Sequence, residues 1–314
     1  MLRLLSVRLA QAAPVLLLVA VLAFLLMRLL PGDPAIVIAG PDASPEAVDR
    51  LRRQLGLDRP VLAQLGAWFG HLAQGDFGRS LMLNQTVVSA VLERLPVTLS
   101  LAALAFAITL PVGTALGVLA ACFRNTWIDA CVMAVALVGV SVPSFWIAIV
   151  SVIVFSVELG WLPSSGYAPL SRGAGPWLHA LIQPAAILAL FQIGYLARMT
   201  RSAMLDVLDQ DYIRTARAKG LDEWRTIGRH AFRNALMSVT TVSGIIVSLL
   251  IGGSVVIEQV FALPGIGRLV VQGIMARDYP LVQGTMLMLG FAFVLVNVAV
   301  DVIYTIVDPR VRYD

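Results

Sequence analysis

Six apolar runs, each long enough to cross a bilayer, constrain this chain more than any other feature: residues 9–30, 98–121, 130–157, 179–201, 236–257 and 284–307. A hydrocarbon core of about 30 Å takes about 20 helical residues. Charged residues make up 13% of the chain, against about 25% in soluble domains. The expectation is an all-α integral membrane protein with six transmembrane helices. Arg3 and Arg8 precede the first run as they would in a signal peptide, but that run is about 22 residues long and no small-residue cleavage site follows it. Residues 1–30 therefore read as an amino-terminal tail and an uncleaved first span. Pro31, Gly32 and Pro34 end its helix.

Residues 31–97 form a mixed, charged extramembrane region. Ser44 before Pro45 is an N-cap and first-turn pair for EAVDRLRRQLG, a short helix ending at Gly56. Leu62, Leu65 and Phe69 recur at helical spacing in a second piece, GDFGRS makes a turn, and thiol labelling should reach Ser80 from outside and Asp206 from inside. His71 has no catalytic companions here. Residues 98–314 hold the remaining five spans, with Pro111, Pro143 and Pro184 as expected kinks. Cys122 and Cys131 lack metal-ligand company and read as packing residues.

Orientation follows from the basic residues. With the amino terminus inside, thirteen lie on the cytoplasmic side and ten outside. Seven of those ten lie in or beside the long first loop, where the rule loses force. Both termini are expected in the cytoplasm. Because the basic residues sit between apolar runs, the net charge of +4 reflects insertion rather than nucleic-acid binding.

The spans hold few ionisable groups, whereas ion-coupled transport needs them. Asp301 is the clear interior candidate, with Asn297 one turn before it; Glu158 and Glu258 fall at outer ends. An aspartate at a helix centre costs about 2.5–3.5 kcal/mol on insertion scales, so Asp301 needs a partner. Gly244, Ser248 and Gly252 strip one helix face of bulk, for contact either within this chain or with a second membrane subunit. The single lysine, Lys219, precedes Gly220, so no phosphate-cradling loop exists and any ATP must be hydrolysed by another chain. No Ser/His/Asp, metal or paired-carboxylate constellation points to an enzyme.

Residues 202–235 form a polar loop between the fourth and fifth spans. Asp211 can cap a helix ending at Ala218 and Lys219, with Gly220 in the left-handed position beyond it, and Asp222 can cap the next helix. That second helix has Trp224, Ile227, Ala231 and Ala235 on an apolar side, and Arg225, Arg229 and Arg233 on a side suited to anionic headgroups. In the first helix Thr215, Ala216 and Ala218 are small and are flanked by Tyr212, Arg214 and Arg217, a knob fit to enter a groove on another protein.

This segment resembles the cytoplasmic coupling loop of ABC importer permeases, whose pattern is Glu-Ala-Ala, three residues, Gly, then about nine residues before Ile-x-Leu-Pro. Counted back from Gly220, the triplet here is Arg214, Thr215, Ala216, and Met237 and Ser238 replace the closing Leu-Pro. LPGDP, GDFGRS, ERLPVTLSLA, EQVFALPGIGRL, RDYPLVQG and VNVAVDVIYTIVDPRVRY extend the resemblance to the peptide/nickel importers, specifically to their dipeptide/oligopeptide permease B-type subunit. The resemblance implies a type I importer fold and these partners: a second, similar permease, two ATP-binding subunits (or one fused ATPase chain) carrying ATP and Mg, an extracytoplasmic solute-binding protein, and membrane lipid. It implies a bacterial or archaeal cytoplasmic membrane. Residues 211–221 (Asp211, Tyr212, Arg214, Thr215, Ala216, Arg217, Ala218, Lys219, Gly220 and Leu221 among them) would dock on the ATPase, and Ala216→Glu should spoil that contact. Pro143, Gly244, Ser248, Gly252, Asn297 and Asp301 are the candidates for helix packing or the pathway. No cofactor is expected on this chain. The competing reading is a self-sufficient secondary transporter or channel. Peptides, nickel chelates, glutathione and opine-like solutes all remain open as cargo.

Overall fold

In a computed structural model, the structure describes residues 2–29, 32–40 and 42–307. The described residues are helical and loop, with one isolated bridge between Arg79 and Thr86. The helices are α1 Leu2–Leu29, α2 Pro34–Ala39, α3 Pro45–Gln54, α4 Val61–Ala73, α5 Val87–Cys122, α6 Trp127–Ser141, α7 Ser144–Ser151, α8 Ala174–Leu208, α9 Asp211–Ala218, α10 Glu223–Arg225, α11 Phe232–Val260, α12 Ile266–Met275 and α13 Tyr279–Val307. Five are long and apolar enough to cross a membrane, or six if the bent pair α6–α7 is one span.

Several helices outrun their apolar stretches. The second starts at Val87 and continues through Pro96 and Pro111, and the fourth runs on to Leu208. Hydropathy measures only the apolar part of a helix, whereas backbone hydrogen bonding carries on into polar flanks. The third expected span, 130–157, is broken: its halves are bent by 96°. Pro143 is the cause. Proline disfavours the helical region for the residue before it, and Val142 is extended, at φ −85° and ψ 130°. Beyond α7 the chain widens into a π-helical stretch, Val152–Glu158.

The chain divides into two compact units, Met1–Pro96 with Gly265–Leu295, and Val97–Pro264 with Val296–Asp314. In the first, Ser44 caps α3 by accepting from the Ala47 amide, and Gly56 follows at φ +64°. Asp33 caps α2 and takes the Arg52 guanidinium at 2.5 Å. Burial pushes the Asp33 carboxyl up, but the Arg52 hydrogen bond, the Ala35 amide and the Arg52 charge together hold it below the usual carboxylate range. Of the three residues at helical spacing on α4, Leu65 and Phe69 are half-buried and Leu62 is 81% exposed. Beside them Trp68 lies 5.8 Å from Phe24 and Gln64 accepts from Arg28, both on α1.

Ser80 is 1% exposed, not an open turn residue. Its hydroxyl donates to Asp278 at 2.6 Å, and the same carboxylate accepts the amides of Met82 at 2.9 Å and Leu281 at 3.1 Å. A labelling thiol at Ser80 would break this clip. Because hydrogen bonds to charged groups each contribute about 1.5–3 kcal/mol, Asp278→Ala should destabilise the first unit by on the order of 3 kcal/mol, with Asp278→Asn retaining part of the clip. Thermal unfolding of the full chain in detergent measures both.

The second unit is built around α8. Leu181, Ala185, Leu188 and Leu196 are buried in one core with Leu101 and Ala105 of α5 and Ile246 and Leu250 of α11. Glycines set its closest approaches. A Cβ at Gly117 would lie 2.5 Å from Cβ of Thr200, one at Gly113 would lie 2.9 Å from Cβ of Leu196, and one at Gly194 would lie 2.6 Å from the Ala136 carbonyl oxygen. The i, i+4 pair on α5 lets van der Waals contact accumulate along a helix seam, which matters most where lipid removes the hydrophobic drive.

Candidate functional site

Helix α9 and its turn are the most distinctive polar structure in the second unit. Asp211 stands one residue inside the helix; Gln210 holds the cap position, without a side-chain cap bond. At the other end the Gly220 amide donates to the Arg217 carbonyl and the Leu221 amide to that of Ala216, with Gly220 at φ +78°. This is a Schellman stop, and its left-handed residue suits glycine. Asp222 occupies the next cap position, also without a side-chain cap bond.

Three ties hold α9 in place. Ile213 is fully buried with Ala121, Met204, Ala231 and Ala235. Arg217 donates to both carboxylate oxygens of Glu223, at 3.1 and 2.6 Å, and this bond raises the pKa of its guanidinium further. Asn234 donates to the Tyr212 hydroxyl at 2.7 Å and to the His230 carbonyl at 2.9 Å. Near its start, Thr215 back-bonds to the Asp211 carbonyl at 3.0 Å and Arg214 pairs with Asp211 at 3.4 Å. Thr215, Ala218 and Lys219 are exposed, while Ala216, one turn on from Ile213, is half-buried. The free face of α9 is thus centred on Thr215 and Ala218 rather than on Ala216.

The helix after the turn departs from its expected face. Ala231 and Ala235 are buried, but Trp224 is 79% exposed. A π-helical stretch, Thr226–Ala231, lies between them. Its wider turns rotate Trp224 away from the side it would share with Ala231 in a regular α-helix. Arg225, Arg229 and Arg233 are all exposed.

Of the six pathway candidates, Ser248 and Asn297 are brought into contact. Ser248 donates to the Asn297 side chain at 2.9 Å, so that part of the small-residue stripe is used within the chain. Gly244 is buried, whereas Gly252 is exposed and a Cβ there would meet nothing within 4 Å. Pro143 marks the 96° bend. The side chain of Asp301 lies outside the described residues.

Other polar contacts in this unit escaped the sequence reading. Glu258 is fully buried; it accepts from Thr98 at 2.7 Å and from Ser254 at 3.2 Å. Gln183 links Ser151 and Ser156. Asp129 takes a two-pronged bond from Arg201, at 2.6 Å on each oxygen. Among the described residues no group of His, Cys, Asp and Glu could hold a metal ion.

Comparison with known proteins agrees with this architecture. Residues 113–313 match the family described as binding-protein-dependent transport system inner membrane component, and residues 1–102 match its amino-terminal companion. A protein of Brucella abortus (strain 2308), provisionally named a peptide transport system permease, is 67% identical over 307 residues, 98% of each chain. The glutathione transport system permease of Salmonella paratyphi A is 42% identical over 306 residues, 98% of this chain and 97% of that one. A solved structure of the MetNI methionine ABC transporter, described as inward facing, shares the fold at a TM-score of 0.55 and 23% identity, over 71% of this chain and 96% of that one. The chain belongs to the binding-protein-dependent transport family and is a permease subunit of an ABC importer.

Proposed function

We propose that this permease carries peptides across a bacterial inner membrane and that α9 is the helix through which partner ATPases drive it. Two relatives are named for peptide and for glutathione, itself a tripeptide. The assembly would comprise this chain, a second homologous permease, two ATP-binding subunits or one fused chain holding ATP and Mg, and an extracytoplasmic solute-binding protein. Both termini and the α9 turn would face the cytoplasm. One observation carries the coupling role: α9 presents an exposed, small-residue face while Ile213, Arg217 and Tyr212 tie its other side to neighbouring helices. A push on that face moves the helices rather than the loop alone.

The test is a charge on the free face. Ala218→Glu should insert and fold normally but lose co-purification with the ATPases, and transport should fall by at least about ten-fold, equivalent to about 1.4 kcal/mol of lost contact. Ala218→Ser should behave as the parent. Normal transport by Ala218→Glu would remove α9 as the docking element, and solute flux by this chain alone, driven by an ion gradient, would overturn the ATP-driven reading.

A further inference from the structure

The first unit carries a half-open cavity of about 410 Å³, within the range of small-molecule sites. Among the described residues its wall carries Arg28, Arg53 and Arg59 against one carboxylate, Asp76, while Arg277 on the same wall donates to the Gly32 carbonyl at 3.3 Å. That carboxylate is engaged in its own loop, accepting the Gly78 amide at 2.8 Å and facing His71 at 3.5 Å. Arg28 sits 3.5 Å above the Phe24 ring and donates to the Phe24 carbonyl and the Gln64 side chain; no carboxylate pairs with it among the described residues. Arg53 is likewise bonded to a backbone carbonyl, that of Asp49, at 3.3 Å.

The wall is rich in donors and poor in acceptors. Trp68, on the same wall, has its indole Nε1 enclosed with no acceptor among the described residues. Between the cations lie the half-buried Phe77, Leu55 and Leu57. A half-buried guanidinium without an anion is unfavourable unless one is supplied, and its planar fork matches a carboxylate with two parallel bonds. The aromatic and aliphatic surface would accept an apolar body attached to that group.

We infer that this cavity is a binding site for the terminal carboxylate of a short peptide, with the peptide's last side chain against Phe77 and Leu55. The choice of a peptide over another carboxylate rests on the peptide-transport reading above. The site differs from the α9 face and would act before translocation, holding cargo by the end that every linear peptide shares. Such a site selects for a free carboxyl terminus and is indifferent to most of the sequence.

Isothermal titration of the full chain in nanodiscs of neutral lipid tests this, with the dipeptide Ala-Phe and its carboxyl-terminal amide as probes. Ala-Phe should bind saturably, and the amide about ten-fold or more weaker. Arg59→Gln and Arg28→Gln should each weaken the acid by a similar factor while leaving the amide unchanged, with thermal midpoints checked to show that both variants fold. Arg59→Lys, which keeps charge but loses the fork, should fall between. Equal binding of acid and amide, or binding unaltered in both glutamine variants, would overturn the assignment. So would displacement of nothing but short-chain phosphatidylglycerol, which would make the cavity a lipid-phosphate site. Loss of ATPase docking in Ala218→Glu is scored separately, so either reading can fail while the other stands.

Discussion

Leucine in place of Gly117 is expected to remove the folded chain from the membrane. A Cβ at this position would lie 2.5 Å from Cβ of Thr200 and 2.6 Å from the carbonyl oxygen of Ala197. The second of these is backbone and cannot swing aside as a side chain can, so α5 and α8 must part. One turn earlier, Gly113 meets Leu196 and the Ile193 carbonyl in the same way, so separation at one glycine opens the seam at both. Overpacking a core costs about 1–3 kcal/mol where side chains can adjust; here the backbone must move, and a loss above about 3 kcal/mol is expected. Gly252→Ala is the contrast. Nothing lies within 4 Å of its Cβ position, and alanine is favoured over glycine in a helix by about 1 kcal/mol. In the isolated chain that variant should be neutral or slightly stabilised. Size-exclusion profile and thermal midpoint in detergent read both. A monodisperse Gly117→Leu protein melting with its parent would show that the α5–α8 seam is not built as described.

Those two glycines mark the boundary of what the sequence disclosed. Gly113 and Gly117 have the same spacing as Gly244, Ser248 and Gly252, yet only the latter stripe was singled out. Spacing along one helix says that a face is bare, not which helix covers it. The long helices were legible because a bilayer demands their length, and their polar extensions at 87–97 and 202–208 were not, because nothing in hydropathy marks them. The α9 turn was legible because its chemistry is local: Gly220 is where the chain must turn left-handed, and the Schellman bonds lie within six residues. The cap was misplaced by one residue because Gln210, which holds it, contributes no side-chain bond. Trp224 was misplaced because a π-helical stretch leaves no signature in residue periodicity. Glu258 and Asp129 sit at the ends of apolar runs, where an acid ordinarily faces water or headgroups. That each is buried against a partner, Thr98 for one and Arg201 for the other, depends on contacts 160 and 72 residues apart in sequence.

The Asp129–Arg201 pair should carry the next largest effect. The aspartate side chain is 8% exposed and the arginine 25%, and the two prongs are short and parallel. Asp129 also accepts the amide of Asn125 at 3.1 Å, holding the turn between α5 and α6. Removing one partner of a buried pair leaves an uncompensated charge and costs about 3–5 kcal/mol. With Arg201 a quarter exposed, Arg201→Ala should fall near the lower end of that range. The double variant Asp129→Asn with Arg201→Met should recover most of the loss, since asparagine still accepts from Asn125 and methionine fills the arginine's stem volume without a charge. The expected order of thermal midpoints is therefore parent, then the double variant close behind, then Arg201→Ala well below. Raised salt should narrow these gaps little, because an enclosed pair is screened far less than a surface one. If Arg201→Ala and the double variant fell together, the loss would come from packing around the arginine stem. Equal midpoints for all three would mean that the pair does not form. The first order alone assigns the stability to a buried carboxylate and the cation that neutralises it, on the helix that leads seven residues later into the turn before α9.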